Sequence, residues 1–369
     1  MRDPRIEKLA EMVVNYSAEV KPGQKVYIKG GPAAQPMLLA VYQKVLEAGA
    51  FPFMVPTISG AQEVMYRYAS DEQLSHLPDP LMLIAETYDA YINVIGEDNT
   101  KGLSSVAGEK NVLYQKANSR FSNTIMDRAA RNELNWSLTL FPTFAHAQDA
   151  EMSLSDYEDF VYGACMPDMN DPIGYWRKVS KKQDKIVDWL KGKKDIHVTG
   201  KETDLTLSIE NRVFVNCDCH KNIPDGEVFT GPVESSVNGR VCFSYPAIYQ
   251  GREVTGVRLW FENGKVVKAA ADKNEEFLLK MLDTDAGSRY VGEFAIGTNE
   301  GINRFTGQIL FDEKIGGSFH MALGKGYPET GNTNPSAIHW DMICDLRAGG
   351  KITADGNTFY QNGKFILDL

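Results

Sequence analysis

Apolar positions recur at helical spacing in "RIEKLAEMVVNY" and again in "PMLLAVYQKVLEAGA", a helix that Gly49 closes. Around them, short apolar runs read as buried strands: "QKVYIKG", "FPFMVPTI", "AYINVIG" and "WSLTLFPT". Helices alternating with short strands predict an open, mostly parallel sheet with flanking helices. After a helical stretch from about Leu154 to Lys194 the pattern changes. "DIHVTGKETDLTLSIENR" alternates polar and apolar residues around Gly200. "VTGVRLWFENGKVVKAAA" sets Asn263-Gly264 between two alternating runs. Both predict β-hairpins. The expected fold is therefore α/β: an N-terminal α/β domain over 1–180, then a C-terminal α+β domain rich in antiparallel strands over 181–369. The boundary falls in or just before a long basic helix, and there is no internal repeat.

Length supports two domains, because 369 residues exceed what one core usually serves. The net charge is −10, from 39 basic and 49 acidic residues, which argues against nucleic acid as the main partner. The basic run "RKVSKKQDKIVDWLKGKK" has helical spacing of Val179, Ile186, Val187 and Leu190, so its lysines read as a solvated helix face. Apolar runs such as "LMLIAETYDAYINVI" are broken by Glu86 and Asp89, well short of the ~20 residues of a membrane span. "MRDPRIEKLAEMVV" is helical and partly acidic where a signal peptide would be apolar, and a cytoplasmic protein is expected.

Five cysteines do not make a disulfide framework. "CDCH" reads as strand alternation, with Cys217 and Cys219 facing one side, rather than as a metal clip. The glycine-rich "KGGPAAQ" lacks both phosphate-binding fingerprints and reads as a tight turn.

Candidate chemistry collects in the second half. "NIPDGEVFTGP" offers Glu227, "VGEFAIGTNEGI" offers Glu293, and "FDEKIGGSFHMALGKGY" offers Glu313, His320 and Tyr327. "SAIHWDMI" offers His339 and Asp341, which would share one face of a strand, with Trp340 turned the other way. Alone, that His-x-Asp is either a metal-ligand pair or a hydrogen-bonded structural pair. Taken together, four carboxylates and two imidazoles suit two divalent ions sharing bridging carboxylates. Spacing cannot show convergence across some 115 positions.

These segments, "EVFTGP", "GEFAIG", "HMALGKGY" and "SAIHWD", resemble, in order, those of the thermophilic aminopeptidase family typified by aminopeptidases T and S. The resemblance implies a dinuclear site ligated by Glu227, Glu293, Glu313, His320, His339 and Asp341, with Tyr327 as catalytic tyrosine. It makes Glu293 the bridging ligand or general base. Two departures stand out. Gly231 replaces a common alanine, and the connection "PETGNTNP" is short, trimming a loop at the rim.

The implied enzyme is a metal-dependent aminopeptidase, a hydrolase using two divalent ions (zinc, cobalt or manganese) to remove N-terminal residues from short peptides. The family also implies a homodimer. Neither nucleic acid nor membrane is expected as a partner. Two rivals are an iron-dependent ring-cleaving dioxygenase of the dihydroxypyridine type on the same scaffold, and a non-catalytic peptide-binding protein. Retention of Glu227, Glu293 and Glu313 beside both histidines favours the hydrolase.

Overall fold

The structure, a computed structural model, describes residues 3–249 and 251–368. The chain divides into two compact units. One runs to Ile173 and takes back Cys219–Pro224; the other comprises Gly174–Asp218 and Asp225–Leu369.

The first unit is built on a parallel sheet. Strands lie in the order Phe51–Pro56, Lys25–Gly30, Ala90–Ile95, Asn135–Leu140 and Asn222–Ile223, every neighbour pairing parallel. The four apolar runs thus become strands as expected. Val26, Ile28, Ile92 and Val94 are buried in its centre. Helices such as Gln35–Glu47 and Gly108–Ala130 connect the strands. Among the described residues, no helix is long and apolar enough to cross a membrane.

The second unit holds an eight-stranded sheet and a five-stranded sheet. Both expected hairpins form in the larger sheet, pairing Asp195–Gly200 with Thr203–Ser208 and Arg258–Glu262 with Lys265–Ala270. The smaller sheet runs His339–Asp345, Ser318–Gly324, Val291–Gly297, Glu227–Thr230 and Val215–Cys217, all antiparallel. One apolar core joins the two sheets, with Val198, Leu205 and Leu259 from the larger and Phe294, Phe319, Met321 and Trp340 from the smaller. The basic helix Pro172–Leu190 turns Ile186 and Leu190 into the core and leaves Lys178, Lys181, Lys182 and Lys185 exposed.

The reading of "CDCH" needs correction. The strand ends at Cys217. Cys219 has φ +73°, a left-handed turn conformation, so strand alternation does not extend to it.

Candidate metal centre

Directly opposed residues of antiparallel strands share a face of the sheet. Glu293 opposes Ala322, which opposes Asp341; Ala295 opposes His320; Gly297 opposes Glu227; Gly324 opposes His339. The register therefore gathers Glu227, Glu293, His320, His339 and Asp341 on one face. The residues between them, Ala295, Gly297, Ala322 and Gly324, are small and leave room in the middle. The alternate residues, Phe294, Ile296, Phe319, Met321 and Trp340, build the core on the other face. Both central strands are buried along their whole length, which is why each reads as a nearly continuous apolar run.

Glu293 is aimed by a bulge. The register slips between Val291 and Glu293. A Cβ on the intervening Gly292 would lie 2.2 Å from the carbonyl oxygen of Lys325, so only glycine fits. Glu313 arrives differently, from the end of the short helix Ile309–Asp312. Buried Asp312 fixes that turn by accepting from the Thr306 N–H at 2.7 Å and its hydroxyl at 2.9 Å. Burial pushes the Asp312 carboxyl up to about 7.

Both imidazoles are oriented by backbone carbonyls. His320 Nδ1 donates to the carbonyl of Glu313 at 2.8 Å, and His339 Nδ1 donates to the carbonyl of Lys325 at 2.8 Å. A carbonyl only accepts, so each ring presents Nε2 to the centre. His320 Nε2 lies 3.6 Å from Glu227 Oε2, 3.7 Å from Glu293 Oε1 and 3.9 Å from Asp341 Oδ1. His339 Nε2 lies 3.1 Å from Glu293 Oε2 and 3.5 Å from Asp341 Oδ1. Glu227 Oε2, His320 Nε2 and Asp341 Oδ1 are buried without a hydrogen-bond partner.

These residues fit a divalent cation. Buried polar atoms normally find partners, and three orphans facing one space need an explanation. Ligands bound at ~2.0–2.2 Å to one ion stand roughly 3–4 Å apart, as these atoms do. Three trios bring ligand atoms within 4.8 Å of one another: Glu227, Glu293 and His320; Glu293, His339 and Asp341; Glu313, His320 and Asp341.

Electrostatics agree. Burial drives the Glu227 carboxyl well above its usual range, with the neighbouring carboxylates adding to it. Burial opposes charge on His320 too, yet Glu293, Glu227 and Asp341 outweigh it and raise His320 to about 10. Burial, then the same carboxylates, holds the Tyr327 phenol well above 10. Its ring packs edge-on to Phe229 at 5.4 Å and to His339 at 5.1 Å. All seven expected side chains thus meet in one place.

Three residues at this centre, Lys314, Asp225 and Gln183, escaped the sequence reading, and a fourth, Cys217, was read there as a strand residue only. Lys314, fully buried, pairs with Glu313. Cys217 and Asp225 each bring a ligand atom within 4.8 Å of the other and of Glu227. Gln183, from the basic helix, braces the region through its side-chain amide, donating to the carbonyls of Cys217 at 2.9 Å and Glu227 at 3.0 Å. Two of them left a signal: Cys217 in the clip-like "CDCH", and Gln183 as a polar residue four positions after Val179 and three before Ile186 on the apolar stripe.

Buried carboxylates and imidazoles that converge in this way, and fit a divalent cation, are the kind of centre that metal-dependent enzymes carry. A model of the thermophilic metalloprotease (M29) family matches residues 2–365. The chain belongs to that family and is a metal-dependent hydrolase. Aminopeptidase 2 of Geobacillus stearothermophilus is 27% identical, with 100% of this chain and 99% of the relative covered. Aminopeptidase T of Thermus thermophilus is 28% identical, with 90% and 87% covered. Among solved structures, wild-type AmpT from Thermus thermophilus matches with a TM-score of 0.88 at 24% identity, covering 99% of both chains. A 2,5-dihydroxypyridine dioxygenase from Pseudomonas putida KT2440 matches at 0.57 and 14% identity, covering 98% and 96%. These two likenesses concern the fold.

Proposed function

We propose that this protein is a metal-dependent aminopeptidase that removes residues one at a time from the free N-terminus of short peptides. Two divalent cations, drawn from zinc, cobalt and manganese, are held by Glu227, Glu293, Glu313, His320, His339 and Asp341. The convergence of unpartnered Glu227 Oε2, His320 Nε2 and Asp341 Oδ1 carries this reading. The second unit is the catalytic domain. The resemblance to aminopeptidases T and S supports a homodimer, and a cytoplasmic location is the one expected from the sequence.

When bound, such ions lower the pKa of water and polarise the scissile carbonyl. Glu293 lies between the two imidazoles, 3.1 Å from His339 Nε2 and 3.7 Å from His320 Nε2. From that position Glu293 would either help to hold the ions or serve as the general base that accepts a proton and passes it to the leaving amine. The Tyr327 phenol stays protonated and donates to the oxyanion that develops at the carbonyl. The free α-amine of the substrate would be held by a carboxylate or by a metal ion.

The test pairs elemental analysis with two short peptides, one free and one N-acetylated. Two ions per chain are expected, with the acetylated peptide at least ~10-fold slower because one charge-assisted contact is lost. Internal cleavage of the blocked peptide at a similar rate would refute the aminopeptidase reading. A single oxygen-sensitive iron, with ring opening of a dihydroxypyridine and no peptide turnover, would favour the dioxygenase.

A further inference from the structure

Glu227 stands at the end of its strand, where the sheet supports it least. The strand Glu227–Thr230 begins with it, and the neighbouring strand Val215–Cys217 has only three residues. Gly226, just before it, has φ +115°, so the chain turns into the sheet at that point. Glu293 and His320, the other members of its trio, sit within seven-residue strands buried along their whole length. A ligand at a strand end needs a brace from outside the sheet.

The helix Pro172–Leu190 supplies that brace. Asn216, in the strand beside Glu227, is held by one turn of it. Its side-chain amide donates to the Ser180 carbonyl at 3.0 Å and the Asp184 carboxylate at 2.7 Å, and its oxygen accepts from Gln183 at 2.5 Å. Gln183 reaches further. Its Nε2 donates to the carbonyl of Cys217 at 2.9 Å and to that of Glu227 itself at 3.0 Å. Its Oε1 accepts from the hydroxyl of Thr298 at 2.7 Å, one residue past the strand that carries Glu293. The Thr298 N–H donates in turn to the Gly226 carbonyl at 2.8 Å. The acceptors around Nε2 can be met only by N–H groups, so the amide has one orientation. A single amide, 1% exposed, thus ties the end of the Glu227 strand to the end of the Glu293 strand.

We propose that Gln183 is a positioning residue of the metal centre: it sets the place of Glu227 relative to Glu293 and His320, and with it the affinity for one of the two ions. Of the three trios described above, only one contains Glu227. Losing the brace should therefore weaken one ion and spare the other. Gln183 touches no reacting atom and acts through the main chain of a ligand. The proposal rests on the dinuclear reading above.

The experiment strips the full chain with a chelator and titrates it with Co²⁺ by equilibrium dialysis, which gives two stepwise affinities. Gln183→Leu should lower one of them by about 10–100-fold, the usual cost of losing an outer contact of a metal ligand, and leave the other unchanged. Thr298→Val removes the hydroxyl that holds the amide. It should lower the same step by roughly fivefold, about one hydrogen bond. Glu227→Ala identifies that step by abolishing it. Adding Gln183→Leu to Glu227→Ala should change the remaining affinity no further, because both act on one ligand.

A folded Gln183→Leu chain with both steps unchanged, or with both lowered alike, would overturn the proposal. So would a further loss in the double variant, since Gln183 would then act elsewhere than through Glu227. Where Gln183→Leu fails to fold, Thr298→Val decides, and two unchanged steps in it count against the proposal. Wild type that binds fewer than two ions would instead defeat the dinuclear reading itself.

Discussion

A methyl group on Gly231 would lie 2.2 Å from Cβ of Asn332 and 2.7 Å from the Thr330 hydroxyl. Gly231 follows the strand that carries Glu227, and Asn332 lies in the short connection before His339. Asn332 is fully buried. Its side-chain amide donates to the carbonyls of Pro232 at 2.8 Å and Val291 at 3.2 Å, and its oxygen accepts from the Asn334 N–H at 3.0 Å. It cannot retreat without stranding these groups. Gly231 and the short connection are thus joined in one packing event: Asn332 lies where a methyl on residue 231 would go. Gly231→Ala should lower stability by about 1–3 kcal/mol, the usual cost of overpacking. In an Asn332→Gly background most of that cost should vanish. A double-mutant cycle by urea unfolding checks this, and additive effects would mean that Gly231 and Asn332 are not coupled.

Asp285 secures the same loop from its other end. Its carboxylate accepts from the Gly287 N–H at 2.9 Å, the Ser288 hydroxyl at 2.9 Å, the Ser336 hydroxyl at 3.0 Å and the Ala337 N–H at 2.7 Å, two residues before His339. Burial works to raise its pKa, but these hydrogen bonds outweigh it and the net shift is downward. A depressed folded pKa contributes stability above the unfolded value of ~3.9, lost as pH falls through the folded value. The group is largely exposed, so Asp285→Ala should cost only about 1 kcal/mol near neutrality. Melting curves of the variant and wild type should converge at acidic pH. A constant gap down to the acid limb would mean the loss is packing, not charge.

Legibility followed periodicity. The four parallel strands and both hairpins announce themselves as apolar runs or alternations bounded by turn residues, and the structure forms them. His339 and Asp341 were readable as same-face neighbours, because strand period 2 is local. Convergence was not readable, since the register that sets Glu293 across from Ala322 and Ala322 across from Asp341 is a long-range fact. Motif order supplied what spacing could not. The small residues of "FAIG" and "MALG" mark the open middle of the ligand face, a meaning visible only once the strands are paired. Glu313 sits on no strand, so only its motif pointed to it. Lys314 follows a helix-end glutamate in "FDEK", where charged runs are usually solvated, so nothing local announced that it would be fully buried and paired with Glu313.

Tyr327→Phe should lower kcat by ~100-fold or more with little change in KM, the pattern for a donor used only in the transition state. The substitution removes one oxygen and leaves the ring contacts with Phe229 and His339 in place, so stability should be unaffected. Steady-state kinetics on an aminoacyl substrate, beside a thermal melt, separates the roles. Wild-type kcat in the variant would make Tyr327 a packing residue.

Metal binding should be linked to protons, and the sign follows from the imidazoles. The carboxylates of the cluster raise His320 to about 10 and hold His339 well above its ordinary value, in both cases against burial. The metal-free centre therefore holds protons on these rings near neutrality, where an ordinary histidine has largely lost them. Nδ1 of each ring is committed to a carbonyl, so the proton to be displaced is the one on Nε2. An ion that takes Nε2 must expel it. Binding should release protons, and affinity should rise by about tenfold per pH unit for each proton expelled. Calorimetric titration in buffers of different ionisation heat counts those protons, and chelator competition between about pH 6 and 8 gives the slope. Chelation itself should abolish hydrolysis, and cobalt, zinc or manganese should restore it. Far-ultraviolet dichroism should change little, because the apolar core joining the two sheets contains none of the ligands. Affinity independent of pH would mean the imidazoles are neutral in the apo protein, and that the carboxylates alone do not draw protons into the centre.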